Sequence, residues 1–447
     1  MASEQQYIDL FQNNAALINA QSAEVLNAPR KAACADFCRL GFPTRRVERY
    51  KYTDVKAAFA PDYGVNLKRL DIPANPNDVF RCNVPNMSTS LYFVVNDAFY
   101  DKALPIASLP QGVQVCSLRE AAQRMPQLVG KYYGQQANSA EDAITALNTM
   151  LAQDGLFVYI PKGIKVDRTL QIVNILRADF DLMANRRVLI VLEEEAEVSL
   201  LFCDHAVDNH NFLTTQVAEV FVGKGAQLQL YSIEETHVKN TRFANTYLEQ
   251  ADNSTLEMNT ITLHNGVTRN RTDVVIKGEN VQTAVYGCVV ADKKQHVDNN
   301  ALIDHQKGGG KSHVLYKYVL DDKAVGAFAG HVLVRKDAQH TESQETNANI
   351  CASPDARMFT QPMLEIYADD VKCNHGSTVG QLNDSALFYM RQRGIPLGEA
   401  RLLLQHAFVN EVIRLVALAP LRERLSHLVE MRFRGELEKC KGCGMCK

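Results

Sequence analysis

Cys373 and His375 are the residues whose types and spacing point most directly to chemistry. They sit in residues 364–380, LEIYADDVKCNHGSTVG, a stretch that begins with strand-like alternation. Side chains two apart on a strand share a face, so a strand continuing this far presents a thiol beside an imidazole. Such a pair suits iron, zinc, copper or a growing iron–sulfur cluster better than magnesium or calcium. It equally suits a cysteine nucleophile with a histidine base. Free cysteines are also among the most buried residues, and spacing alone puts that structural use first. Asp369 would share the face and oppose thiolate formation unless a metal is present. Gly376 is expected to end the pairing.

A second group of thiols lies in the tail. Cys440, Cys443 and Cys446 form C-x-x-C-x-x-C just before Lys447. The spacing is that of the start of a bacterial ferredoxin motif, which needs a fourth thiolate that does not follow. The tail would then bind metal with an outside ligand, or pass iron or sulfur to a partner. The plain alternative is an exposed, redox-sensitive tail. Other motifs carry less. GGGKS at residues 308–312 has His305 where a phosphate-binding loop needs glycine, and is read as a flexible insertion. The twelve histidines include no HExxH pattern. His205, His210 and His237 are expected to be solvated near strand ends. His340, Glu342, Glu345 and Asp355 are placed in a polar loop before the signature stretch.

The elements that must position these residues are strands. From Leu156 onward LFVYI, LQIVNIL, RVLIVLE and AEVSLLF follow one another with short polar breaks. AEVSL, AQLQL, STLEM and VQTAV then recur about every 28 residues, each after a tight polar turn, which is the period of a solenoid. AVGAF, after Asp321–Asp322–Lys323, is read as the next member. One strand–turn–strand unit cannot bury its own apolar face, whereas stacked rungs share a continuous core. The expected fold class is therefore mainly β, a right-handed parallel β-helix (β-solenoid) core flanked by N-terminal and C-terminal helical regions. The helices are expected to cap one or both of its ends, since open edges invite pairing. Four segments follow: residues 1–155, helical and mixed, with turn signals at Pro73 and Pro76; 156–379, the β-helix; 380–436, helical, with Leu404, Phe408, Val412 and Val416 recurring at fours; and 437–447, the cysteine tail.

Composition narrows the function classes. The chain has 447 residues, 46% hydrophobic and 22% charged, with a formal net charge of −3. No basic field is present to draw in nucleic acid or an anionic membrane. No apolar run is long enough to span a bilayer, and MASEQQYIDLFQNN lacks the pattern of a signal peptide. Eleven cysteines dispersed over so long a chain fit reduced thiols in the cytoplasm. A solenoid of this size is also compatible with a polysaccharide-active enzyme. The absence of tryptophan and of paired carboxylates argues against that reading. An iron–sulfur electron carrier using the tail is the other alternative.

Residues 364–380, together with LFYMRQRGI at 387–395 and GFPTRRVERYKYTDV at 41–55, resemble the signatures of the SufB/SufD family of iron–sulfur cluster assembly proteins, on its SufD side. The resemblance covers nearly the whole chain. It implies a β-helix core and a non-catalytic scaffold. Cys373 and His375 would lie at an interface with a SufB-like subunit, where a transient iron–sulfur cluster, shared with the partner, is formed. It further implies that a SufC-like ATPase docks on the C-terminal helices, with Leu404, Phe408 and Val412 as candidate contacts. This chain would bind no nucleotide, and a homodimer is possible when it is isolated. The family pattern does not require the cysteine tail.

Overall fold

In the computed structural model, residues 3–70, 84, 87–105 and 108–436 are described. Cys440, Cys443, Cys446, Pro73 and Pro76 lie outside them. On one side of the repeat, six successive turns each hold a residue of positive φ. These residues are Glu195, Gly225, Asn253, Asn280, Gly309 and His340, with φ between 56° and 72°. Asparagine and glycine enter this left-handed region most readily, which is why ADN, GEN and GKG punctuate the sequence.

The strands are β1 (Thr89–Val95), β2 (Ala98–Tyr100), β3 (Gln114–Ser117), β4 (Gly155–Ile160), β5 (Thr169–Leu176), β6 (Leu182–Leu192), β7 (Glu197–Ala206), β8 (Phe212–Val222), β9 (Gln227–Glu235) and β10 (Asn240–Gln250). There follow β11 (Thr255–His264), β12 (Val267–Ile276), β13 (Gln282–Ala291), β14 (His296–His305), β15 (Lys311–Leu320), β16 (Val325–Val334), β17 (Glu342–Cys351), β18 (Arg357–Ile366) and β19 (Lys372–Gly380). From β5 onward, odd-numbered strands build one parallel sheet, which β1 and β2 complete. Even-numbered strands from β4, with β3, build the facing sheet. Strand pairing therefore joins every second strand, as a two-sheet solenoid requires. The solenoid begins earlier than residue 156, because β1 pairs in parallel with β5.

Register turns the repeat into columns. Leu170, Leu200, Leu230, Met258, Val285 and Val314 stack rung on rung inside the core. AVGAF belongs to β16 in the facing sheet, and KSHVL of β15 is the true next member after VQTAV. GGG at 308–310 is a regular turn between β14 and β15, not an insertion, and Lys311 and Ser312 open a strand. The interior also holds charge. Arg186 donates to Asp204 at 2.6 Å and Arg242 donates to Asn270 at 2.7 Å, all buried. Gly287 is set by packing, since a Cβ there would lie 2.2 Å from the ring of its register partner Tyr316. Gly287→Ala is expected to lower unfolding stability by about 1–3 kcal/mol through overpacking, read from urea denaturation midpoints.

Helices of both terminal regions lie against the outer faces of the two sheets. Helix α1 (Ser3–Ala20), α2 (Arg30–Leu40) and α3 (Ala143–Leu151) pack over Met183, Leu213 and Phe243 on the outer face of the even-numbered sheet. Residues 41–55 run along the same face: Arg49 pairs with Asp273 at 2.9 Å, Thr53 donates to Asp298 at 2.6 Å, and Tyr52 stacks on Phe359 of β18. Helices α4 (Asp384–Gln392), α5 (Leu397–Ile413) and α6 (Ala419–Phe433) belong to the C-terminal region. Val409, Val412, Leu421 and Leu425 of α5 and α6 cover Tyr231, Ile261 and Leu315 of the odd-numbered sheet. Arg432 of α6 fastens the end by donating to Asp292 at 2.7 Å and to Gln295 at 2.9 Å. At the first rungs, the antiparallel strands β2 and β3 close the sheet edges. At the other end β18 and β19 are the last strands of their sheets, with no further strand paired to either among the described residues.

Candidate metal centre at the open end of the solenoid

Residues 364–380 are not one strand. Leu364 and Ile366 finish β18, the chain turns at 367–371, and β19 begins at Lys372 in the opposite sheet. Asp369 is in the turn and exposed, so it does not share a strand face with Cys373. Gly376 does not leave the pairing: it stands opposite Thr346, and the ladder runs on to Gly380.

Cys373 and His375 do share a face. Their register partners on β17 are Ser343 and Glu345, both buried in the solenoid interior. Parallel partners point the same way, so the thiol and imidazole project into the interior of the last rung. No rung lies above them, and His375 is consequently exposed. Cys373 is half-buried against Val332, Val334, Ala338 and Ala368. That burial pushes its thiol pKa up, opposed by a hydrogen bond from the Ser343 backbone. A cation is what would favour the thiolate here.

Beneath the pair the columns change character. The apolar column that ends in Val285 and Val314 continues as Glu345 and then His375. The neighbouring one runs Leu228, Leu256, Thr283, Ser312, Ser343, Cys373. Its hydroxyls form a short chain, with Ser312 Oγ 2.7 Å from Ser343 Oγ and 2.9 Å from His305 Nε2. Burial drives His305 down to about 4. Glu345 is 1% exposed, neither of its oxygens is hydrogen-bonded, and burial raises its carboxyl to about 8. It lies on β17, not in a polar loop. Glu342 is on the same strand, exposed and paired with Lys311 at 3.2 Å. His340 pairs with Asp370 at 2.9 Å in the turns. Asp355 is remote from them, lining a groove of about 710 Å³ along the other turn edge with Lys293, Lys294 and Lys323. His205 is buried rather than solvated.

Among the described residues no three His, Cys, Asp or Glu side chains converge closely enough to hold a metal. The terminal rung thus offers two donors and leaves the remainder of a coordination shell to other sources. The edges beside it differ. Arg357 and Tyr367 donate backbone N–H groups to β16, so the backbone groups of odd residues of β18 point to β16 and Pro362 stands on the free edge. A proline there removes a donor from that edge and blunts it. In β19, Lys372 donates to Thr341, which leaves Cys373, His375, Ser377 and Val379 with their backbone groups on the free edge. That edge contains no proline.

The C-terminal helices distribute their apolar residues unlike the expectation. Val412 is buried against the sheet, and Phe408 packs there beneath the Lys317 ammonium, which also pairs with Glu411. Leu404 is half-buried. The exposed apolar side chains of this region are Phe388, Tyr389, Leu397 and Leu403. No described helix is long and apolar enough to cross a membrane.

Comparison with known proteins yields two family matches, the SufBD protein N-terminal region over residues 1–172 and the SUF system FeS cluster assembly SufBD core domain over residues 175–408. An iron–sulfur cluster assembly SufBD family protein of Synechocystis is 27% identical over 434 residues, 93% of either chain. The iron–sulfur cluster assembly protein SufD of Escherichia coli is 26% identical, covering 89% of this chain and 90% of its own. The chloroplastic protein ABCI7 of Arabidopsis thaliana is 25% identical, covering 83% and 78%.

Proposed function

Because the chain belongs to the SufB/SufD family of iron–sulfur cluster assembly proteins, we propose that it is a non-catalytic scaffold subunit whose last solenoid rung forms half of a cluster-building interface. The observation that carries this reading is a half-buried Cys373 beside an exposed His375 on the last strand of its sheet. A thiolate and an imidazole suit iron and sulfide, the material being assembled, and a facing subunit would supply further ligands. The proline-free edge of β19 is the place for a strand of a SufB-like subunit to add, extending the ten-stranded sheet across the interface. An isolated chain could use the same edge against a second copy.

The ATPase partner has a separate surface. Phe388, Tyr389, Leu397 and Leu403 are exposed on the two helices that carry the C-terminal signature and its continuation. They replace Phe408 and Val412 as the contacts offered to a SufC-like subunit. Nucleotide would bind to that subunit and not to this chain, in the cytoplasm. The tail thiols Cys440, Cys443 and Cys446 remain a proposed secondary iron or sulfur carrier.

The test is iron and sulfide content after anaerobic assembly with SufB-like and SufC-like partners. Cys373→Ala and His375→Ala are each expected to lose most of the cluster while the complex still assembles. Full cluster content in both variants, with the complex intact, would sink the assignment.

A further inference from the structure

His375 has a carboxylate on the rung beneath it that no other described residue hydrogen-bonds. Glu345 is its register partner on β17, about 4.8 Å away at the backbone, and both side chains face the interior. A buried polar group without a partner costs on the order of 1–3 kcal/mol. An apolar residue at 345 would simply extend the column of Val285 and Val314. The facing strand makes room for the carboxylate: a Cβ on Gly330 of β16 would lie 1.7 Å from Glu345 Oε1. Nearby carboxylates are occupied elsewhere, Asp370 by His340 and Glu342 by Lys311. Glu345 alone stands on the face of His375.

Resting on the assignment of Cys373 and His375 as ligands, we propose that Glu345 is the positioning carboxylate of His375. With a cation on the pair, the carboxylate moves from its place over Gly330 toward the mouth and accepts the inner ring N–H of His375. That bond would fix the tautomer and turn the outer ring nitrogen to the cation. Ligating histidines characteristically donate their second N–H to a carboxylate, a carbonyl or water, and losing such a partner costs about 10–100-fold in metal affinity.

Anaerobic titration of the isolated full chain with cobalt(II), with Cys440, Cys443 and Cys446 replaced by serine in every arm and followed by thiolate-to-cobalt charge-transfer absorption, tests this. Glu345→Leu is expected to weaken cobalt binding by about 10–100-fold, and Glu345→Gln by less. The urea midpoint of Glu345→Leu should match or exceed the wild type, because an unpartnered buried carboxyl has been removed, and that of Glu345→Gln should stay close to it. Unchanged cobalt affinity in Glu345→Leu overturns the proposal, and a lowered urea midpoint with unchanged affinity would mark a merely structural residue. The arms Cys373→Ala and His375→Ala separate the two readings. If either abolishes binding while Glu345→Leu binds as tightly as wild type, only the role of Glu345 fails. If neither affects binding, the ligand assignment fails and takes this proposal with it; if the otherwise unsubstituted chain takes up no cobalt, the role of Glu345 in holding His375 on a cation in this chain is overturned.

Discussion

Ser377→Pro is expected to leave the chain folded and to weaken pairing with a SufB-like subunit. Residues of β19 alternate in the direction of their backbone groups, and the bond from Lys372 to Thr341 sets the phase. Ser377 therefore directs its N–H outward, where no strand of the described residues lies. Proline at that position removes no internal hydrogen bond, and Gly376 before it accepts the extended backbone that proline demands. Stability should stay within about 0.5 kcal/mol of wild type, as for most surface changes. An incoming strand would meet a missing donor, which orphans its own carbonyl at a cost of about 1–3 kcal/mol, and a ring in its path, together a loss of roughly 10-fold or more in affinity. Thr378→Pro is the matched control. Its N–H faces β17, so the same residue one step on should lower the urea midpoint of the isolated chain. Calorimetric titration with the partner, beside urea unfolding of both variants, gives the comparison. Tight pairing by Ser377→Pro would move the interface away from this edge.

What the sequence disclosed and what it hid follow from where the core is apolar. Between Ala196 and Val285, alternating aliphatic residues and turns such as Asp252–Asn253 mark each rung, because only apolar columns leave a periodic trace. That trace gave the solenoid. It fades at β17, whose inward residues are Ser343, Glu345, Asn347 and Asn349, so a buried strand reads as a polar loop. Counting on in steps of about 30 residues from Val285 and Val314 would have found Glu345 and His375, since register holds where hydrophobicity does not. The turn YADDV lacks glycine and proline, which is why β18 and β19 read as one strand. Turn residues were legible where asparagine or glycine takes positive φ, at Gly225, Asn253 and Asn280, and hidden where Glu195 and His340 do. The helices presented the opposite difficulty. A stripe containing Phe408 and Val412 is visible in sequence, but nothing in it distinguishes a face packed on this chain's own sheet from one offered to a partner.

The largest loss of stability is expected from Glu219→Ala, far from the mouth. Glu219 of β8 is fully buried on the outer face of the even-numbered sheet. It accepts from Arg187 at 2.7 Å and from the backbone N–H groups of Gly134, Gln136 and Ala137 at 2.8, 2.9 and 3.2 Å. Arg187 is equally buried, lies over the Tyr133 ring and donates to Thr149. One carboxylate thus holds the segment before α3 onto the solenoid while balancing a buried guanidinium. Truncating it leaves a charge without its counterion and three donors without an acceptor, for which about 3–5 kcal/mol is expected. Glu219→Gln keeps an acceptor oxygen and should lose less. Adding Arg187→Met to Glu219→Ala should recover part of the loss, because the uncompensated charge is gone although the N–H groups stay orphaned. Urea unfolding followed by two independent probes measures this, and a loss under 1 kcal/mol for Glu219→Ala would contradict it. Cobalt affinity should not change in the folded variant. Glu219 shares no hydrogen-bonding partner with Cys373, His375 or Glu345, and effects at separate sites add rather than couple. A variant that loses stability but keeps the terminal rung's affinity would show that the scaffold's strength and its chemistry reside in different layers of the same solenoid.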